Sequence, residues 1–142
     1  MLLHSNYCKP PNRNLARYAA SLFARMHECQ MVNRQIVRID NWQPHVNHCH
    51  SNALILEIYG EGYTAVHGWF LIDFDGTKDF VRFTAHSIVL NAQGRLLDVT
   101  PSYPGAPSFP FITANLTDIE YEAVLDALLK KYGSTEFLDY RI

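Results

Sequence analysis

Two β-forming runs constrain this chain more than anything else in it. YTAVHGWFLID (63–73) and DFVRFTAHSIVLN (79–91) are rich in Val, Ile, Thr, Phe and Tyr, and the turn-forming DFDGT separates them. Runs of this length and spacing pair as antiparallel strands. A second turn, NAQG, leads to a third strand, RLLDVTP (95–101), which Pro101 stops. A three-strand meander must bury one face, and the flanking segments supply helices for that purpose. NRNLARYAASLFARMHECQMV carries Leu15, Tyr18, Ala19, Leu22, Phe23 and Met26 at intervals of three and four, with Asn12 or Asn14 as its cap. HCHSNALILEIYG predicts a helix that starts close to Cys49 and stops at Gly60. LTDIEYEAVLDALLKKYG has Thr117 and Glu120 at capping-box spacing, and Gly133 closes it. RQIVRID (34–40) reads as a short strand or an extended connection. The expected fold class is α+β, with helices packed on a small antiparallel sheet and one domain over residues 1–142.

The segment from 101 to 116 contains prolines at 101, 104, 107 and 110 and is long for a connection inside a domain. With Tyr103, Phe109 and Phe111 it suits either one wall of a substrate groove or a surface wrap whose aromatics plug into the core.

Chemistry concentrates at QPHVNHCHSNA (43–53). A cysteine at a helix amino terminus is activated by unpaired N–H groups and the positive end of the helix dipole. Cys49 has that position. His86 lies mid-strand in the second β run and Asp98 lies on the third. Hairpin register about the NAQG turn sets residue 86 close to 98 or 99, so the imidazole has a carboxylate to orient it. Gln43, together with the backbone N–H of Cys49, offers donors for an oxyanion. His50, Trp69 and Tyr103 are candidates for contact with substrate, although Trp69 and Phe70 in HGWFLID suit core and sheet-face positions better, and His67 is a candidate pocket-liner.

The order Gln43, Cys49 at a helix start, His86 in a strand and Asp98 on the next strand resembles the papain-like cysteine hydrolase superfamily. Its transglutaminase-like and arylamine acetyltransferase-like branches share the Cys-His-Asp set. The surroundings of Cys49, HCHSN, differ from the glycine before and tryptophan after the cysteine in papain-type peptidases. The resemblance implies a papain-like fold and a hydrolase or acyltransferase acting on a peptide bond or glutamine side chain through a thioester, with Cys49 as nucleophile, His86 as base and acid, Asp98 orienting His86, and Gln43 at the oxyanion. No cofactor is implied, and the expected partner is a peptide or protein substrate.

Other readings stay open. Cys49 can be a buried structural thiol, or a non-catalytic binding module can have the same fold. His45, His48, His50 and Cys49, completed by His67 or His86, have the chemistry of zinc ligands. Charge narrows the partners, because 12 Lys plus Arg against 14 Asp plus Glu, with no basic run, gives no footprint for nucleic acid. Three cysteines without CxxC spacing fit a reducing compartment. The amino terminus has no sustained apolar run and no stretch approaches a membrane span. The expectation is a cytoplasmic protein, or one exported without a cleaved signal.

Overall fold

The computed structural model describes residues 7–72 and 78–142. The DFDGT turn falls outside the described residues. Chain order gives helix α1 (Arg13–Ala24), a 3-10 turn (Met26–Glu28), strand β1 (Asn33–Arg34), helix α2 (Cys49–Tyr59), strands β2 (Thr64–Ile72), β3 (Phe80–Leu90), β4 (Leu96–Asp98) and β5 (Phe111–Thr113), helix α3 (Asp118–Tyr132) and strand β6 (Phe137–Arg141). The fold is α+β, with three helices among the described residues and a mixed six-stranded sheet. No helix among the described residues is long and apolar enough to cross a membrane.

Local chemistry accounts for the helix ends. The Asn12 side chain accepts the Leu15 N–H at 2.9 Å and starts α1. Thr117 and Glu120 exchange side-chain and backbone bonds at the start of α3, and Gly133 ends it at φ 71, a left-handed conformation that favours glycine. Asn91 organises the turn before β4, accepting from Gln93 N at 3.1 Å and Arg95 N at 2.8 Å.

The meander forms as the sequence predicts, but the sheet is mixed where an antiparallel one was expected. β1 runs parallel to β4, pairing Asn33 with Leu97 and Arg34 with Asp98. Of the segment 34–40, read as a short strand or an extended connection, only Arg34 belongs to a strand, β1 (Asn33–Arg34). Two further strands were not anticipated: β5, inside the proline-rich loop, pairs with β2, and β6, after the last helix, pairs with β3.

β3 organises the sheet. One of its edges pairs with β2, while the other takes β6 along Phe80 to Thr84 and β4 at Val89 and Leu90. A notch beside His86, Ser87 and Ile88 separates those two ladders. Deep in the β6 end, Arg82 holds both carboxylate oxygens of Asp139 at 2.8 and 2.9 Å, and Asp139 also accepts the Lys9 N–H at 2.7 Å. The pair is paid for in desolvation, and its bidentate geometry provides the compensation a buried ion pair requires.

The helices cover one face in two groups. Leu15, Ala19 and Leu22 of α1 and Tyr121 and Leu128 of α3 share a cluster with Trp69, Leu71, Val81, Phe83 and Ile112. Ala53 and Leu56 of α2 pack with Val89, Leu97 and Val99. Along β3 the helix-facing residues run Phe83, Ala85, Ser87, Val89, so Ser87 stands between the two clusters. Its cross-strand partner is His67. The apolar face of the sheet is therefore interrupted by a polar pair at the level where α2 and α3 begin.

Candidate active site

Cys49 is the first residue of α2. His48 caps the helix without a side-chain hydrogen bond, so no capping side chain competes for the first-turn N–H groups. Burial alone would raise the pKa of the thiol, but the neighbouring rings of His50 and His86 and their positive charge outweigh burial and hold it at about 5.

His86 is buried, and its Nε2 lies 3.0 Å from Asp98 Oδ1. The contact arises differently from the expected direct pairing. Val89 pairs with Leu97, so extending the ladder puts Asp98 opposite Ile88, on the same face as His86 and diagonal to it. Because Asp98 takes Nε2, Nδ1 is the nitrogen left to serve the thiol. Burial would lower the His86 pKa, yet its bonds to Asp98 and Cys49 and their negative charge raise it to about 9.

Asp98 is itself anchored. Oδ1 also accepts the Thr100 N–H at 3.2 Å, and Oδ2 faces Arg34 Nη2 at 3.4 Å. Against the opposing effect of burial, the His86 bond is the main influence holding its carboxyl below the usual range, with Thr100 and Arg34 adding to it. Phe70 stacks on the His86 ring, with centroids 4.0 Å apart and planes at 23°. Opposite His86 on β2 is Gly68, where a Cβ would run into the Ile112 carbonyl and the Phe111 ring of β5. The close approach of β5 thus requires glycine there.

Asn52, fully buried in α2, donates to His45 O at 2.8 Å and to Thr100 Oγ1 at 3.0 Å, and accepts from His45 N at 3.0 Å. It ties the loop before Cys49 to the strand end that carries Asp98.

The other sequence candidates separate. His50 is at the site, with Nδ1 2.6 Å from Ser87 Oγ. Gln43 is exposed and its Oε1 accepts from Arg38 Nε at 3.4 Å, with no described contact to Cys49. Trp69, open in the sequence between a core position and contact with substrate, is fully buried in the α1–α3 cluster, where its indole N–H donates to Tyr18 Oη at 2.9 Å. Tyr103 is exposed in the proline-rich loop. That loop does wall a cavity of about 280 Å³, lined by Met31, Arg34, Phe70, Asp98, Pro107 and Phe109 among others. Phe109 rather than Tyr103 is its aromatic contribution.

His45 and His48 are exposed, and among the described residues no three His, Cys, Asp or Glu side chains stand together as metal ligands. Cys8 and Cys29 lie elsewhere, and burial raises both thiols.

Sequence reasoning missed Arg34, Asn52, Phe70, Ser87 and Thr100. One signal was available: His67 and Ser87 interrupt otherwise apolar positions on the buried face of β2 and β3. Comparison of the chain with protein-family models, curated proteins and solved structures found no match.

Proposed function

We propose that the chain is a cysteine-dependent hydrolase or acyltransferase that acts on amide bonds through a thioester, with a papain-like arrangement of Cys49, His86 and Asp98. The observation that supports this reading is the buried bond of 3.0 Å between His86 Nε2 and Asp98, which leaves Nδ1 of the same ring to serve the thiol at the amino terminus of α2.

Cys49 Sγ forms a bond to the substrate carbonyl carbon, and the carbonyl π electrons move onto oxygen. Collapse of that intermediate breaks the C–N bond, and the amine leaves with a proton from His86. The thioester is then attacked by water or a second amine, which gives its proton to His86 as the thiolate departs. Water makes the protein a peptidase, amidase or deamidase; an amine makes it a transferase. The cavity lined by Asp98 and Phe70 borders the triad on the Asp98 side and has both polar and apolar walls. The substrate is a peptide or protein, and no cofactor enters the scheme.

Incubation with p-nitrophenyl acetate tests the reading. The expected result is a burst of one p-nitrophenolate per chain and an acetyl group mapped to Cys49 by peptide mass spectrometry. Cys49→Ala should lose both. Acetylation spread over surface lysines, with no burst, contradicts the proposal.

A further inference from the structure

Asn52 comes three residues after Cys49 in α2, a spacing that makes the two neighbours on the helix surface, and its side chain is fully buried. Its amide meets two partners. Oδ1 accepts the His45 N–H at 3.0 Å, while Nδ2 donates to His45 O at 2.8 Å and to Thr100 Oγ1 at 3.0 Å. Hydrogen counting fixes this orientation, because a flipped amide would set its NH2 against the His45 N–H and its oxygen against the His45 carbonyl. Both donors of the side chain are then engaged.

The two partners belong to the segments that the chemistry must hold in register. His45 opens the turn that leads into Cys49: its carbonyl also accepts His48 N–H at 3.3 Å, and Asn47 within the turn is left-handed at φ 64. Thr100 follows Asp98 by two residues, and its N–H donates to Asp98 Oδ1, the same oxygen that His86 Nε2 meets. One side chain therefore connects the segment entering the thiol to the segment that orients the imidazole. The apolar contacts nearby, Ala53 and Leu56 against Val89, Leu97 and Val99, hold α2 on the sheet but have no direction. Directional bonds from a buried amide, with its desolvation offset by three partners, select one placement of the helix among those that packing would accept.

We infer that Asn52 is a positioning residue that, through His45 and Thr100, sets where Cys49 stands relative to the His86–Asp98 pair. The inference rests on the Cys49 mechanism proposed above. Misplacement of reacting groups by about 1 Å costs on the order of 10²-fold in rate, and a slip of α2 against the end of β4 is what this bridge prevents.

Thr100→Val tests it, because the substitution removes the hydroxyl while keeping the side-chain shape and the N–H that Asp98 accepts. Two quantities are read: the limiting rate of Cys49 acylation by p-nitrophenyl acetate, and the pH midpoint of Cys49 alkylation by iodoacetamide, with Cys8 and Cys29 as internal references. Thr100→Val is expected to slow acylation ~10- to 100-fold and to raise the Cys49 midpoint by about one unit, with the fold retained by circular dichroism. Thr100→Ser, which keeps the hydroxyl, should return both toward the parent values. Asn52→Ala should lose at least as much as Thr100→Val, and combining the two should cost little more than Asn52→Ala alone, since both act through one bond. A folded Thr100→Val with the parent's rate and midpoint overturns the assignment, and so does a double variant whose losses are additive. Should Thr100→Val not fold, Asn52→Ala is read by the same two quantities: losses in both support the assignment, and parent values overturn it. Selective acylation and a low midpoint that persist in the variants reject the bridge alone. A parent protein whose Cys49 labels together with Cys8 and Cys29 rejects the nucleophile reading itself, and the role of Asn52 falls with it.

Discussion

His86→Ala is expected to reduce steady-state turnover of an active ester by ~10²- to 10⁴-fold, the range for loss of a positioned acid and base. The two half-reactions should respond unequally. Without His86 the Cys49 pKa rises from about 5, with the His50 ring still lowering it, and a full return to the ordinary 8.5 sets the upper bound at pH 6, a ~300-fold fall in thiolate population. A more basic thiolate is ~30-fold more nucleophilic, which leaves acylation only ~10-fold slower. Deacylation has no such compensation, because water must be deprotonated and His86 is the group positioned to do it. The variant should therefore accumulate acetyl-Cys49, visible by intact mass, while turnover nearly stops. Raising the pH above 8.5 should restore acylation and leave deacylation slow. Equal losses in both steps would contradict the assigned role.

Asp98 separates orientation from charge. In Asp98→Ala, His86 loses the partner of Nε2 and the ring is free to rotate or change tautomer; turnover should fall ~10²- to 10³-fold or more. Asp98→Asn should be milder. Oδ1 accepts from both His86 Nε2 and Thr100 N–H, two donors that hold the amide oxygen at that position and keep the proton on Nε2. What the amide lacks is charge. The active pair is thiolate with imidazolium, so activity falls on the acid side as Cys49 is protonated through about 5 and on the alkaline side as His86 is deprotonated through about 9. Removing the carboxylate's charge lowers the His86 pKa, and the alkaline limb should move down by a unit or more while the acid limb moves up less. A pH–rate profile of ester acylation reads this directly. An unchanged alkaline limb in Asp98→Asn would mean that Asp98 does not set the charge of His86.

Much of this arrangement is legible in the sequence where the information is local. The capping box at Thr117, the turn at Asn91, the meander of β2, β3 and β4 and the helix start at Cys49 each follow from residue types within a few positions of one another. The Cys49, His86 and Asp98 constellation follows from order along the chain and one hairpin register. That register puts Asp98 two positions from a direct pairing with His86, and the contact survives because diagonal neighbours on one face remain within reach. What the sequence hides is non-local. β1 is two residues long and joins β4 in parallel across a large sequence separation, so no periodicity announces that Arg34 reaches Asp98. Trp69 and Gln43 show a related limit: residue type left Trp69 open between core and substrate contact and made Gln43 a candidate oxyanion donor, and only packing shows that Trp69 is core and that Gln43 faces Arg38. His67 and Ser87 were readable as polar residues on a buried face, but their meaning depends on two helices beginning at the same level.

The central claim is that one cysteine is activated by a buried imidazole, and the pH dependence of alkylation at each cysteine tests it most directly. Iodoacetamide labelling, quantified by peptide mass spectrometry between pH 4 and 10, compares three thiols in one molecule. Cys49 should label with a midpoint near 5, and Cys8 and Cys29, whose thiols burial raises, should label only above ~8.5. In His86→Ala the Cys49 midpoint should rise by at least two units while the other two stay in place. A Cys49 that labels together with Cys8 and Cys29, or whose midpoint ignores the loss of His86, would contradict the account.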